Sequence, residues 1–413
     1  MIRTGLLGVA RRAAVPPFHV MAVWAAAAER QRSHGDLVNL SAGQPSAPAP
    51  SAVRAAAVAA LDRDVLGYTV TLGIPELRQA IAGHYLSRYR LHVDPADVVV
   101  TTGSSGGFLL AFLAVFDVGD RVAVTSPGYP CYRNILTALG CEVVELPCGP
   151  ETRFQPTVEM LDGLEVRGLV VASPANPTGT VLPAAELAML ASHCDERGIQ
   201  LVSDEIYHGI TYGSGSDGAG SEGAGSEGDG PGVGSGGGPD VMCAWETSRE
   251  AIVVNSFSKY FAMTGWRLGW MLVPPRLAGA VDRLTGNFTI CPPAIAQHAA
   301  VSAFVPGSYA EADAHVTRYH TNRDLLLAGL PRVGLPRLAP ADGAFYVYAD
   351  VSDFTADSME LCGQLLAETG VAITPGIDFD TVHGSRFVRL SFAGATAEVA
   401  EAVRRIGAWL PTR

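Results

Sequence analysis

Short apolar runs alternate with longer amphipathic stretches between about residues 96 and 274 of the chain. Runs rich in β-branched residues predict strands that are buried on both faces, and the stretches between them predict helices. Seven such runs are present, at 98–101, 122–124, 143–146, 169–171, 201–203, 252–254 and 268–272. The pattern therefore predicts an α/β fold with a large domain, in which a mainly parallel seven-stranded sheet lies between helices.

The pattern changes beyond residue 305. A long helical stretch at 306–330 comes first, strand-like runs follow at 344–348, 371–373 and 387–390, and a helical pattern at 397–409 closes the chain. Strands and helices in this order predict a smaller α+β domain. We expect the segment 15–40 to join it.

One segment, 213–238, consists almost entirely of Gly, Ser, Ala, Asp and Glu. This composition has nothing to bury, so we interpret the segment as a disordered surface insertion without chemistry of its own. A glycine-rich phosphate loop is the alternative, but no apolar strand leads into the segment. The predicted division of the chain is an N-terminal arm with part of the small domain (1–45), a large domain (46–300) and a small C-terminal domain (301–413).

Composition excludes several classes of protein. The chain has 413 residues, of which 48% are hydrophobic and 17% charged, as in globular proteins. Its net charge of -12 argues against nucleic acid and anionic membranes as partners. The longest apolar stretch, 108–116, is far shorter than the roughly 20 residues that span a bilayer.

The N-terminus and the cysteines indicate the compartment. The weak signal-like run at 1–12 shows no convincing cleavage site, so we expect a cytoplasmic protein. The seven cysteines include no C-x-x-C pair, and an odd number fits no closed disulfide framework. We therefore expect reduced thiols and no metal site.

Lys259 is the only lysine, so 28 of the 29 basic residues are arginine. An amine can lose its proton and attack a carbonyl to form an imine, whereas a guanidinium stays charged and cannot. Lys259 ends the sequence Asn-Ser-Phe-Ser-Lys at 255–259, and Met-Thr-Gly-Trp-Arg-Leu-Gly-Trp follows at 263–270. A genome that favours arginine codons could also leave one lysine, but it would not explain these motifs. The chain resembles the pyridoxal-phosphate-dependent aminotransferases of class I and II, fold type I, over about residues 15–410.

A candidate phosphate site lies in Gly-Ser-Ser-Gly-Gly at 103–107, between a predicted strand and a predicted helix. Backbone N–H groups at a helix start bind anions. The resemblance implies that Ser104 and Ser105 bind the phosphate of pyridoxal phosphate, with Ser256 and Arg267 as further ligands.

The resemblance also implies a second subunit. Tyr68, in Gly-Tyr-Thr at 67–69, resembles the tyrosine that reaches the phosphate in the neighbouring chain of the family's dimers. We therefore expect a homodimer with active sites shared between its subunits.

Three further residues resemble the family's contacts to the cofactor ring. Asp204 follows the strand predicted at 201–203, and a carboxylate at the carboxyl end of a parallel strand faces the ligand crevice. The resemblance implies that Asp204 keeps the ring nitrogen protonated, that Tyr207 and Asn176 donate hydrogen bonds to the phenolic oxygen, and that Tyr129 stacks on the ring. An aspartate helix cap and a proline-rich turn are the alternatives for Asp204 and Asn176.

For the substrate, Arg389 resembles the arginine that binds the α-carboxylate, and Gly43 and Asn176 lie in motifs that border the same group. Arg386 is the alternative arginine. Residues three apart on a strand face opposite sides, so only one of the two should point into the site.

The resemblance implies a transamination between amino acid and 2-oxo acid substrates by a ping-pong mechanism. Lys259 would hold the cofactor and move the substrate proton. A β-eliminating C–S lyase or an aminocyclopropane-carboxylate synthase would carry the same residues. A ligand-sensing regulator with an aminotransferase-like domain would need an added DNA-binding domain.

The expected substrate is a neutral aliphatic amino acid of the valine or alanine type, with pyruvate or a branched 2-oxo acid as acceptor. Ser105 stands where some aspartate-specific family members have a lysine. The segment 15–21, which borders the substrate side chain in the family, is mostly apolar. An aspartate-type aminotransferase is the alternative.

Overall fold

A computed structural model of the chain describes residues 9–213 and 241–412. Apart from Gly213, the insertion expected at 213–238 lies outside these residues. Within the described ranges, no helix has the length and apolar character that crossing a membrane requires.

The helices and strands follow the predicted order closely. The helices are α1 (His19–His34), α2 (Ser51–Arg63), α3 (Pro75–Tyr89), α4 (Gly103–Val115), α5 (Pro130–Leu139), α6 (Ala184–Arg197), α7 (Pro275–Phe288), α8 (Ala294–Ala300), α9 (Pro306–Arg332), α10 (Ser358–Thr369) and α11 (Thr396–Trp409). The strands are β1 (Val38–Asn39), β2 (Val98–Thr101), β3 (Arg121–Ser126), β4 (Glu142–Pro147), β5 (Gly168–Ala172), β6 (Gln200–Asp204), β7 (Ile252–Ser256), β8 (Gly269–Leu272), β9 (Tyr346–Asp350), β10 (Val371–Ala372), β11 (Thr374–Pro375) and β12 (Phe387–Ser391).

All seven apolar runs predicted between residues 96 and 274 form one sheet. Its strand order is β2-β8-β7-β6-β5-β3-β4, and β8 alone runs antiparallel to its neighbours. The prediction of an α/β fold with a mainly parallel seven-stranded sheet is therefore confirmed.

The sheet is buried on both faces, as its continuous apolar strands require. Val98 and Val100 pack into the core on one face, and Val99 packs into the core on the other, with Phe108 and Phe112 of α4. Each such side chain stabilises the fold by roughly 1.5–3 kcal/mol when it is fully buried. Helices on both faces keep this apolar surface from water.

The smaller sheet gathers residues from the last third of the chain. Strands β11, β12 and β9 form an antiparallel sheet, and β1 pairs in parallel with β10, which brings 38–39 beside 371–372. Of the run predicted at 371–373, residues 371–372 form β10; after Ile373 the chain leaves β1, and β11 at 374–375 pairs with β12. The domain boundaries expected near residues 45 and 300 remain a prediction.

Five of the six parallel strands determine where a site can form. The strands β2, β3, β5, β6 and β7 point the same way, so their carboxyl ends meet at one edge of the sheet. Ligands of open α/β sheets bind outside this edge. The segments that follow these five strands carry most of the residues singled out from the sequence.

Candidate active site

A pocket lies at this edge, between the central sheet, α1 and the small sheet. Ten of the residues identified from the sequence line it: Gly43, Ser104, Ser105, Tyr129, Asn176, Asp204, Tyr207, Lys259, Arg267 and Arg389. Residues that are remote in the sequence are thus brought to one place. Two of the identified residues, Ser256 and Tyr68, do not line it.

The first turn of α4 forms one end of the pocket. Gly103 has a φ of +68°, and a Cβ there would lie 2.6 Å from Nη2 of Arg267, so only glycine allows this approach. The side chain of Thr102, which precedes the helix, does not cap it. Since the N-cap side chain does not bond to them, the first N–H groups of α4, beside Ser104 and Ser105, are available to a ligand, an arrangement that suits a phosphate.

The hydroxyl of Ser256 lies behind this end of the pocket. Its Oγ donates to Oγ of Ser258 at 2.9 Å, and Ser258 is the residue that lines the pocket. Direct phosphate binding by Ser256 remains a prediction, whereas Ser258 was not identified from the sequence.

Lys259 follows β7 and extends into the centre of the pocket. Its Nζ donates to the backbone oxygen of Gly43 at 2.7 Å. Burial, and the positive charge of Arg389, lower the pKa of Lys259 from 10.5 to about 8, although the negative charge of Asp204 opposes the shift. The amine is therefore neutral in a large fraction of molecules near pH 8, the state in which it is a nucleophile and a base.

Asp204 is the last residue of β6 and is buried. Its Oδ2 accepts a hydrogen bond from the Tyr132 hydroxyl, and its Oδ1 accepts one from the backbone N–H of Ile206 at 3.1 Å. Burial raises the pKa of Asp204 to about 6, and these two bonds and the charge of Lys259 limit the increase. A cationic group in the pocket would stabilise the carboxylate further, so Asp204 suits a protonated ring nitrogen.

Arg389 lies in β12 and is only 3% exposed. Its Nη1 donates to Oδ1 of Asn176 at 2.9 Å and its Nη2 to the backbone oxygen of Ser41 at 3.0 Å. Among the described residues, no carboxylate pairs with it. A buried guanidinium of this kind suits a carboxylate ligand. Arg386 is half-exposed, lies 3.9 Å from Asp350 and does not reach the pocket.

Tyr207 and Tyr346 connect the two sides of the pocket. Their hydroxyls lie 2.7 Å apart, and the guanidinium of Arg389 lies 4.4 Å from the Tyr346 ring centre. A Cβ on Gly43 would lie 2.8 Å from the Tyr346 hydroxyl, so a larger residue at 43 would push this tyrosine away. Tyr346 was not identified from the sequence, because an aromatic residue in an apolar strand is typical of a core.

Tyr132 was also missed, although a signal was present. It lies in the first turn of α5, three residues after Tyr129, and its hydroxyl donates a hydrogen bond to Asp204, although Tyr132 itself does not line the pocket. The spacing indicated that Tyr132 would lie near Tyr129, and their ring centres are 5.5 Å apart.

The remaining wall of the pocket comes from the start of α1. Phe18, Val20, Met21 and Trp24 line it. The first three lie within the segment 15–21, which was expected to border the substrate side chain. Trp24 lies one helical turn beyond Val20. The wall is therefore apolar.

Tyr68 does not line the pocket of its own chain and is 84% exposed. Its neighbours Val65 and Val70 are exposed as well, and so are Phe288 and Ile290 at the end of α7. Apolar side chains exposed together mark interaction surfaces more often than free surface.

The pocket fits pyridoxal phosphate. A helix start and Arg267 face one end, a carboxylate and an aromatic ring, those of Asp204 and Tyr129, lie between, and a neutralisable amine stands opposite. These are the groups that a phosphate, a basic ring nitrogen, a flat ring and a reactive aldehyde require. Among the described residues, no cluster of His, Cys, Asp and Glu could hold a metal ion.

Comparison with known proteins agrees with this geometry. The family model described as "Aminotransferase class I and II" matches residues 35–406. A valine–pyruvate aminotransferase of Mycobacterium tuberculosis is 65% identical over 407 residues, which cover 98% of this chain and 99% of that protein. An aspartate/prephenate aminotransferase of Thermus thermophilus is 36% identical, covering 96% and 97%.

A solved structure agrees as well. The crystal structure of an aminotransferase from Mycobacterium tuberculosis superposes with a TM-score of 0.92 at 64% identity, covering 98% of this chain and 100% of that one. The chain therefore belongs to the class I and II aminotransferases, and it is an enzyme that uses pyridoxal phosphate to move an amino group between an amino acid and a 2-oxo acid.

Proposed function

We propose that the protein transfers the amino group of a neutral aliphatic amino acid, valine or alanine, to pyruvate or a branched 2-oxo acid. The two substrates would bind in turn to the same pocket, in a ping-pong sequence.

The positively charged side chains of the pocket support the proposal of a neutral substrate. Among the described residues that line it, the cationic side chains are Lys259, Arg267 and Arg389, and each has a task on the cofactor or the α-carboxylate. None is left for a second carboxylate on the substrate. Burying an unpaired carboxylate is heavily penalised, whereas each buried carbon of an aliphatic side chain gains about 0.8 kcal/mol.

The relatives support a neutral aliphatic substrate, but they do not exclude an acidic one. The more similar of the two named relatives is called a valine–pyruvate aminotransferase, at 65% identity. The relative at 36% identity is called an aspartate/prephenate aminotransferase, so an acidic substrate is the second candidate.

We assign the cofactor contacts as follows. Ser104, Ser105, Arg267 and the first turn of α4 would hold the phosphate, with Ser256 as a further ligand. Pyridoxal phosphate, when bound, supplies an electrophilic carbon for the substrate amine and a ring that withdraws electrons from Cα.

Other side chains would hold the ring. Asp204 would accept a hydrogen bond from the protonated ring nitrogen, Tyr129 would stack on the ring, and Asn176 and Tyr207 would donate hydrogen bonds to its phenolic oxygen. The bond from Tyr132 and the burial of Asp204 keep that carboxylate in place.

Arg389 and Lys259 would act on the substrate. The Arg389 guanidinium would grip the α-carboxylate with two N–H groups and so fix the Cα–H bond in one orientation. The neutral Nζ of Lys259 would remove the Cα proton of the amino acid, and in the second half of the reaction it would deliver a proton to Cα of the other substrate. A second 2-oxo acid would then run these steps in reverse.

The exposed surface around Tyr68 supports a homodimer. Tyr68 is exposed and does not line the pocket of its own chain, so its expected phosphate contact would require a second copy. The apolar side chains around it would lie in the interface. We also propose a cytoplasmic location, since all seven cysteines are free thiols in the structure, as a reducing compartment favours.

The substrate proposal is tested by measuring kcat/KM for valine, alanine, aspartate and glutamate with pyruvate as acceptor. Valine and alanine should exceed the acidic pair by at least about a hundredfold, because an unpaired buried carboxylate costs several kcal/mol. A preference for aspartate or glutamate would overturn the proposal and indicate a cation that enters from another subunit.

The dimer is tested by sedimentation and by mixing inactive variants. The wild-type enzyme should sediment at twice the chain mass of 43.2 kDa. If Tyr68 acts across the interface, mixing Tyr68→Ala with Lys259→Arg should restore activity, because each mixed dimer has one site with both native residues. No recovery in a mixture shown to exchange subunits would place Tyr68 outside the site.

A further inference from the structure

The loop of residues 376–381 follows β11 and contacts two other parts of the pocket. We call it the 376–381 loop. The backbone oxygen of Phe379 accepts a hydrogen bond from the N–H of Gly128 at 2.9 Å, and Gly128 precedes the pocket residue Tyr129. Nη2 of Arg133 donates to the backbone oxygen of Asp378 at 3.3 Å. The loop is thereby fixed to the segments that follow β3.

The side chain of Asp378 points the other way, to the start of α1. Its Oδ1 accepts from the backbone N–H of His19 at 2.8 Å, and its Oδ2 accepts from that of Val20 at 2.7 Å. The N-cap residue of α1 is Phe18, which has no side-chain acceptor. The first N–H groups of a helix have no partner within it, so a residue more than 350 positions away in sequence supplies the cap.

The first turns of α1 are also the apolar wall of the pocket. Val20 is buried, whereas Met21 is 53% exposed, and the segment before α1 is exposed as well. The Asp378 carboxylate is therefore one of the contacts that fix this end of the helix, together with the packing of the buried Val20. The edge-to-face contact between Phe18 and Tyr129, with ring centres 6.3 Å apart, is another.

The same loop reaches the arginine of the pocket. The ring centre of Phe379 lies 4.8 Å from the guanidinium carbon of Arg389. One short loop thus contacts the proposed carboxylate site through Phe379 and the proposed side-chain wall through Asp378. The distance between these two subsites depends on the loop.

We propose that Asp378 is a positioning residue for substrate specificity: by capping α1 it holds Val20, Met21 and Trp24 at the distance from Arg389 that a branched aliphatic side chain requires. This proposal rests on the proposed function, because it assumes that the α1 wall contacts the substrate side chain.

The test compares Asp378→Ala and Asp378→Asn with the wild-type holoenzyme. The alanine variant loses both acceptors and the asparagine variant keeps one, so Asp378→Asn should show the smaller effect. Asp357→Asn is the matched control, since Asp357 caps α10 through the N–H groups of Met359 and Glu360 and does not line the pocket.

Three measurements separate positioning from a general loss of structure. In Asp378→Ala, kcat/KM for valine should fall at least about tenfold more than for alanine, because the larger side chain depends more on the wall. This fall in kcat/KM should come mainly from a higher KM for valine. Amide hydrogens of residues 19–24 should exchange at least about tenfold faster, while cofactor affinity should stay within about twofold.

Equal losses on valine and alanine, or unchanged exchange of the α1 amides, would overturn the proposal. If Asp378→Ala fails to fold, the two measurements are made on Asp378→Asn instead: the loss of kcat/KM for valine relative to alanine, and the exchange of the amide hydrogens of residues 19–24. Failure of the proposed function is distinguishable, since wild-type enzyme would then fail to use valine. The exchange measurement would still show whether Asp378 holds the start of α1.

Discussion

The two sides of the pocket are built in different ways. The cofactor side is formed at the carboxyl ends of five different parallel strands of one sheet, where each of these residues ends a strand or closely follows one: Ser104, Tyr129, Asn176, Asp204 and Lys259. On the substrate side, the wall comes from α1, from the loop around Gly43 and from two strands of the small sheet.

The first side is thus fixed by a single rigid element. The second depends on contacts between distant parts of the chain, such as Asp378 with α1. Catalysis should therefore be sensitive to the identity of a few residues on the cofactor side, while specificity should be sensitive to packing on the other.

The largest effect is expected at the centre of the cofactor side. Lys259→Arg should lower turnover at least about a thousandfold, since a guanidinium can neither form an imine nor act as a base, and three powers of ten correspond to about 4 kcal/mol. Steady-state turnover and the visible absorbance of the purified enzyme check this. Thermal melting should show that the variant is folded. Turnover within tenfold of wild type, with unchanged absorbance, would remove Lys259 from the mechanism.

Asp204→Asn should lower kcat by roughly a hundredfold or more, because a neutral amide cannot stabilise a protonated ring nitrogen, and each tenfold is about 1.36 kcal/mol. Glu205→Gln is the matched control. Glu205 is the next residue and is also buried, but its Oε1 accepts from Ser203 Oγ at 3.0 Å and from the Ala244 N–H at 2.9 Å, away from the pocket. Similar losses in both variants would mean that Asp204 acts only through packing.

A smaller effect is expected where the two sides meet. Tyr346→Phe removes the hydroxyl 2.7 Å from that of Tyr207, and the loss of one hydrogen bond of about 1 kcal/mol should lower kcat/KM about fivefold. In Tyr348→Phe, kcat/KM should not change, because the buried Tyr348 hydroxyl has no hydrogen-bond partner among the described residues. If both variants behave alike, the bond between the two sides has no functional role.

The smallest expected effect is a shift in a titration. In the apoenzyme, Lys259 should react with an amine reagent with a midpoint near pH 8 rather than 10.5, since burial and Arg389 disfavour its charged form. Arg389→Met removes a positive charge, so the midpoint should rise, by less than about one unit. Arg386→Met, on the exposed arginine, should leave it unchanged. Mass spectrometry of the Lys259 peptide measures the reaction, and a midpoint near 10.5 in the wild type would contradict the burial of the amine.

The same difference explains what the sequence could predict. Strands buried on both faces leave continuous apolar runs, so the seven strands of the large sheet and the residues after them stand out. Ser104, Asp204 and Lys259 could be placed in one site for this reason.

The substrate side left weaker signals. Tyr346 lies in an apolar strand, where an aromatic residue is typical of a core, and no local pattern separates the two roles. The contact of Asp378 with α1 joins segments more than 350 residues apart, and neither segment carries a motif for it. Such contacts depend on the packed fold rather than on local periodicity.

The single lysine has a consequence for measuring the stability of the enzyme. A protease that cleaves only after lysine has one target bond in the whole chain, between Lys259, which lines the pocket, and the buried Tyr260. Cleavage into residues 1–259 and 260–413 therefore requires the centre of the molecule to open. When opening and closing are fast relative to cleavage, the rate at which the full-length band disappears reports the population of opened molecules, with no label and no engineered site.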